Sequence, residues 1–147
     1  MENEIKLETK QKKPIIKIII WSLVFVVVFI SAVQISVADK YKAQVLVIEG
    51  EKKVGVNPTT TNLDFGDLSG DTSATRFVSL NAGGAKTQIF VFKFGSIAEL
   101  IKVNDKSFVM EAGDEKRLEF SLYMPVSAPA GERYTGWVWI FKIPKLF

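Results

Sequence analysis

An uncharged, strongly apolar run over residues 18–38 constrains the fold of this chain more than any other feature. As an α-helix, at about 1.5 Å per residue, the run would extend roughly 30 Å, the thickness of a bilayer's hydrocarbon core. A lone segment in lipid must satisfy its own backbone hydrogen bonds, and only a helix does so. We therefore predict one transmembrane helix over residues 15–38, with Lys17 and Trp21 as anchors at one membrane surface.

The distribution of lysines predicts the orientation of this helix. Five lysines precede the apolar run, whereas Lys40 and Lys42 are the early ones after it. Because positive charge is retained on the cytoplasmic side, residues 1–14 are predicted to be a cytoplasmic tail, in which residues 1–13 are expected to be disordered. The remainder of the chain then lies outside the cytoplasm, attached to the cell membrane by a single pass.

A second interpretation of the apolar run is a cleaved signal peptide. Ser36-Val37-Ala38 is a small-x-small sequence that would permit cleavage after Ala38. Signal peptides have apolar regions of about 7–15 residues, so the greater length of this run favours an uncleaved anchor. Both interpretations remain open at this stage.

Residues beyond the apolar run have the pattern of short β-strands. Residues 39–61 are interpreted as membrane-proximal strands and a linker, with a hairpin formed by residues 43–48 and 53–56. Residues 62–147 are interpreted as one folded domain, in which short apolar runs alternate with turns rich in Gly, Asn, Asp and Pro. Its candidate strands are residues 62–65, 75–81, 87–94, 99–103, 107–111, 116–124 and 134–143. Seven short strands at this spacing predict a β-sandwich.

The order of these segments also resembles a known family. Residues 63–71 (LDFGDLSGD) are followed by a strand at residues 75–81 (TRFVSLN), which is similar to the opening of ASH/HYDIN-type immunoglobulin-like domains. Residues 111–136 resemble both these domains and the immunoglobulin-like modules of bacterial and archaeal surface proteins. Residues 66–78 have a weaker likeness to camelysin-type fibre proteins. The resemblance implies an immunoglobulin-like sandwich that binds or scaffolds, in which Tyr134 is expected to bond a nearby backbone group.

Composition argues against catalysis and against nucleic-acid binding. The chain contains no His and no Cys, which removes the commonest general base, the commonest metal ligands and any disulfide. A Ser–Lys pair is the one nucleophile system left, and no motif places such a pair in a cleft. Beyond residue 38 the chain has about fourteen basic and about thirteen acidic side chains, and it has no basic run that could bind phosphates. We therefore predict no enzyme activity, no catalytic, cofactor or metal-binding residues, and no small-molecule substrate.

Two strands are apolar on both faces, which is unusual for a half-exposed sheet. Their second faces carry Phe90, Phe92, Trp137, Trp139 and Phe141. These rings are the candidate partner-binding residues, unless the hairpin or residues 97–103 cover them within the chain. Residues that alternate with these rings, together with apolar residues of the other strands, are predicted to form the core. These residues are Val78, Leu80, Phe120, Leu122, Val138 and Ile140.

The expected function is that of a non-catalytic, membrane-anchored extracytoplasmic module. Such a module would bind another envelope protein or form part of a cell-surface assembly, through a protein partner or through self-assembly. The alternative function is that of a secreted, self-assembling fibre subunit, which would be released by cleavage after Ala38.

Overall fold

The structure, a computed structural model, describes residues 2–50, 54–55 and 62–145, with the backbone alone at residues 2–14 and 54–55. The chain divides into two compact units, Met1–Val37 and Ala38–Phe147. The first contains the helix α1 (Glu2–Val37). Its stretch Ile15–Val37 is long and apolar enough to cross a membrane, and none of that stretch is buried within the protein. A single N-terminal apolar helix is thus present, as predicted.

The helix begins at Glu2, so the prediction of a disordered leader is wrong. The leader is rich in Glu, Lys and Gln, which lose little side-chain freedom in a helix. The apolar segment supplies a helical nucleus beside the leader, which lowers the cost of nucleation. Pro14, at the junction, removes one backbone donor and opposes this continuation.

The described residues of the second unit form β-strands in two sheets and no α-helix. Its strands are β1 (Asp39–Val47), β2 (Val54–Gly55), β3 (Leu63–Leu68), β4 (Thr72–Asn81), β5 (Thr87–Gly95), β6 (Ile101–Val103), β7 (Ser107–Met110), β8 (Glu115–Met124) and β9 (Arg133–Pro144). A six-stranded sheet has the order β2-β3-β1-β9-β5-β7, and a three-stranded sheet has the order β4-β8-β6. All seven strands predicted beyond residue 61 are present, with ends shifted by a few residues.

The two sheets share one apolar core, to which β1, β3, β4, β5, β8 and β9 all contribute buried side chains. The six residues predicted to point inward are all buried, and Phe120 and Leu122 are fully inaccessible. This core confirms the predicted parity of β4, β8 and β9.

The predicted hairpin near the membrane is wrong. β1 pairs with β3 in parallel and with β9 in antiparallel orientation, which makes it an interior strand of the larger sheet. β2 pairs with β3 and not with β1. The cause lies in β1 itself, since its alternate residues Ala43, Val45 and Val47 are buried in the common core. The larger sheet therefore includes residues 39–47, which the sequence predicts as membrane-proximal strands outside the domain of residues 62–147.

The hydroxyl of Tyr134 corrects another expectation. It donates a hydrogen bond to Glu132 Oε2 at 3.1 Å, a side-chain acceptor rather than the expected backbone group. Partial burial and this bond to Glu132 both raise the pKa of Tyr134, because each disfavours the phenolate. The bond therefore joins Tyr134, near the start of β9, to the residue just before that strand.

Candidate docking surface

The pairing of β5 with β9 places six aromatic rings on one face of the larger sheet. The directly opposed pairs are Phe90 with Phe141, Phe92 with Trp139, and Phe94 with Trp137. Directly opposed residues of an antiparallel pair point to the same side of the sheet. The residues that alternate with them, including Val91, Val138 and Ile140, are buried in the core. The rings therefore point outward, and we call Phe90, Phe92, Phe94, Trp137, Trp139 and Phe141 the aromatic face.

The rings of the aromatic face form a connected cluster. The ring centroids of Phe92 and Phe141 lie 5.6 Å apart with planes at 86°, and those of Phe94 and Trp139 lie 5.2 Å apart at 64°. Trp139 also contacts Phe141, with centroids 6.1 Å apart. Edge-to-face contacts of this kind favour a defined ring arrangement. The five candidate partner-binding residues thus share one surface, and Phe94 joins them.

The aromatic face is open to solvent. Phe92, Phe94 and Trp137 are 48%, 47% and 47% exposed, and the other three rings are half-buried. The indole N–H of Trp139 is buried and has no hydrogen-bond partner among the described residues. An open cluster of large rings leaves much apolar area in water, which is unfavourable unless another surface covers it.

The two segments expected to cover these rings do not lie over them. β1 lies within the same sheet, beside β9. Ile97 and Ile101 are buried in the core, on the opposite side of the sheet from the rings. The prediction that residues 43–56 or residues 97–103 cover the rings is therefore wrong for β1 and for residues 97–103. Residues 51–53 and 56 lie outside the described residues.

Lysines border the aromatic face along β1. Lys40 is opposite Trp139 and Lys42 is opposite Trp137 in the register of β1 and β9. The ammonium of Lys40 lies 5.1 Å from the centroid of the Trp139 ring, a cation–π distance. Val109 and Ile143 extend the apolar area at the other border, and both are exposed. The surface thus has an aromatic centre with positive charge along one side.

The outward face of the smaller sheet is different and polar. Its cross-strand pairs are Ser73 with Tyr123, Thr75 with Ser121, Phe77 with Glu119, Ser79 with Arg117, and Asn81 with Glu115. Its two large rings in these pairs both contact polar groups, since the Arg117 guanidinium lies 3.8 Å from the centroid of the Phe77 ring and the Tyr123 hydroxyl donates to Asp71 Oδ1. This is the ordinary alternation of a half-exposed sheet. The aromatic face is thus particular to one side of the domain.

Lys93 is partly buried beside the core. It lies on the inward side of β5, opposite Val138, and its ammonium donates to the carbonyl oxygen of Ile101. Burial, with a contribution from Lys106, lowers the pKa of Lys93. Because the ammonium is held by a backbone carbonyl, its contact ties β5 to the start of β6.

Among the described residues no group of acidic side chains is placed to hold a metal ion.

The predicted membrane anchors both lie on α1. Lys17 and Trp21 are exposed and four residues apart, so they share one side of the helix.

Sequence reasoning omitted Lys40, Lys42, Phe94, Val109 and Ile143 from the candidate residues. Phe94 has the same parity as Phe90 and Phe92, so the sequence alone could have assigned it to this face. The assignment of the other four requires knowing which strands lie side by side.

Comparison of the chain with protein-family models, with curated proteins and with solved structures finds no match. The resemblance to ASH/HYDIN-type domains, and the weaker one to camelysin-type fibre proteins, therefore remain predictions from the sequence.

Proposed function

We propose that this chain is a non-catalytic, membrane-anchored extracytoplasmic module with an immunoglobulin-like sandwich. Its aromatic face docks onto another component of the cell envelope, and the module thereby forms part of a cell-surface assembly. The observation that supports the proposal most strongly is the open aromatic cluster on one sheet, set against an ordinary polar face on the other. Rings of this kind bury much area at little rotamer cost, which is why they anchor interfaces.

The location in the proposal comes from the N-terminal unit. The stretch Ile15–Val37 suits a single membrane pass, and the lysines that precede it favour a cytoplasmic N-terminus. Lys17 and Trp21 would then lie near the cytoplasmic headgroups. The β-domain would be held at the outer surface of the membrane, where its docking face meets other envelope components.

The second candidate function is a secreted fibre subunit. The observation that favours it is the division of the chain between Val37 and Ala38, one residue before the predicted cleavage position. In this case the aromatic face would pack against further copies of the released domain. The two candidates differ in whether residues 1–38 stay attached to the domain.

We expect Trp137 to be shielded in the native membrane and Phe77 to be accessible. The chain has no Cys, so Trp137→Cys and Phe77→Cys each introduce a single thiol. The two original side chains are equally exposed, at 47%, on the outward faces of the two sheets. The measurement is the rate of alkylation by a membrane-impermeant maleimide in isolated membranes, relative to the rate in urea. The proposal requires several-fold protection at position 137 and none at position 77.

Melting temperatures of the two variants provide the control. If Trp137→Cys lowers the melting temperature as much as a core truncation does, the ring is interior and the docking proposal is wrong. Equal alkylation rates at both positions in the membrane would contradict the proposal in the same way.

A further inference from the structure

The start of β1 follows the apolar helix almost directly in the chain. α1 ends at Val37 and β1 begins at Asp39, with Ala38 alone between them. No charged residue lies between Lys17 and Asp39. At about 1.5 Å per residue, this uncharged stretch only just crosses a hydrocarbon core of roughly 30 Å. If the helix spans the membrane, Asp39 is therefore held at the membrane surface.

The register of β9 shows how close the rings are to that point. Asp39 is opposite Ile140, and Lys40 is opposite Trp139. Phe92 is the next residue across the sheet, opposite Trp139 on its other side. Neighbouring strands lie about 4.8 Å apart, so these rings lie on the order of 5–15 Å from the point where β1 begins.

β9 also continues past the beginning of β1. It runs four residues beyond Ile140, to Pro144, which at about 3.3 Å per residue is roughly 13 Å. Lys145 N then donates to Lys86 O at 2.8 Å, so exposed lysines lie at this end of the sheet. If β1 ran straight away from the membrane, these lysines would enter the hydrocarbon, where charge is costly. A sheet that lies with one face along the surface avoids that cost.

Of the two outward faces, the aromatic one suits a lipid surface. Trp is enriched at the membrane–water interface, where its ring sits at headgroup level. Lys40 and Lys42 border the rings on the same face, and lysines near an anionic surface are attracted to it. The opposite face carries Glu115 and Glu119 together with Arg117 and Lys102, so it offers an anionic surface no net positive charge and no cluster of rings.

We infer that the envelope component covered by the aromatic face is the surface of the bilayer to which the chain is anchored. The inference rests on the proposed function and names its docking partner. The rings insert at the headgroup level, and Lys40 and Lys42 contact anionic headgroups beside them. The polar face of the smaller sheet then remains exposed to solvent.

Tryptophan fluorescence of the full chain tests this inference. Trp21→Phe leaves Trp137 and Trp139 as the two fluorophores, because the chain has three Trp. The matched control adds Trp137→Phe, Trp139→Phe and Phe77→Trp, which keeps the face aromatic and moves the fluorophore to the polar sheet. Each chain is placed singly in nanodiscs of phosphatidylcholine brominated near the headgroup, with or without phosphatidylglycerol. Circular dichroism confirms that both variants are folded.

The expected result is several-fold stronger quenching, with blue-shifted emission, for Trp21→Phe than for the control. Lys40→Gln combined with Lys42→Gln should weaken quenching in discs that contain phosphatidylglycerol. Equal quenching of the two chains would overturn the inference. If position 137 is nevertheless protected in native membranes, the component is a protein and the proposed function survives. If position 137 is protected from alkylation only at a high protein-to-lipid ratio, the covering component is a second copy of this chain, and the lipid assignment is likewise overturned.

Discussion

Replacing Gly136 with alanine is expected to destabilise the β-domain by about 3 kcal/mol or more, since overpacking against fixed backbone is costly. Gly136 is opposite Gly95, where β5 and β9 approach closely. An added Cβ would overlap the carbonyl oxygen of Phe94 and lie 2.9 Å from Ile97 Cγ2. Because the nearest atom belongs to the backbone, the sheet itself would have to shift. The melting temperature should fall on the order of 10 to 20 °C.

Gly84→Ala is the matched control for that experiment. Gly84 lies in the connection between β4 and β5, and nothing lies within 4 Å of an added Cβ. The substitution should change the free energy of unfolding by less than about 1 kcal/mol, with a stabilising sign because the unfolded chain loses freedom. If the Gly136→Ala protein had the same melting temperature as the Gly84→Ala protein, β5 and β9 would not be packed as described.

Truncating Phe120 to alanine should cost about 3–5 kcal/mol of folding free energy. Phe120 is fully buried on β8, the central strand of the smaller sheet, opposite Arg76 and Val103. Removing the ring leaves a cavity between the sheets that the surrounding strands fill only in part. Since a small domain has about 5–15 kcal/mol in total, urea or thermal unfolding would detect the loss readily.

Phe77→Ala provides the same chemical change on the outside of the same sheet. The ring is half exposed and is covered by the Arg117 guanidinium, so its loss should cost about 1 kcal/mol. Comparable destabilisation by both substitutions would contradict the assignment of inward and outward faces on which the aromatic face also depends.

The strands and the core were predictable because they depend on local alternation. Val78 and Leu80, for example, alternate with Ser79 and Asn81, and all four lie on the expected faces of β4. The rings of β5 and β9 were identified by the same logic, since apolar residues of both parities cannot all enter one core. Their contact across the sheet follows from the antiparallel register of those two strands.

The partners of β1 could not be derived from local pattern. Residues 49–52 contain a Gly between charged residues, which resembles a hairpin turn, yet β1 is placed by long-range pairing with Tyr134 and Arg133 on β9. Such pairings span about ninety residues of sequence and carry no local signal. For the same reason Lys40 and Lys42 could not be assigned to the border of the aromatic face before the sheet order was known.

The central claim is that a docking domain is held permanently at a membrane, and the intact mass of the membrane-bound chain tests it most directly. Protein extracted with detergent from washed membranes should retain residues 1–38, and external protease should digest the β-domain while sparing residues 1–14. The central claim is contradicted if the chain is recovered in soluble form, beginning at Asp39.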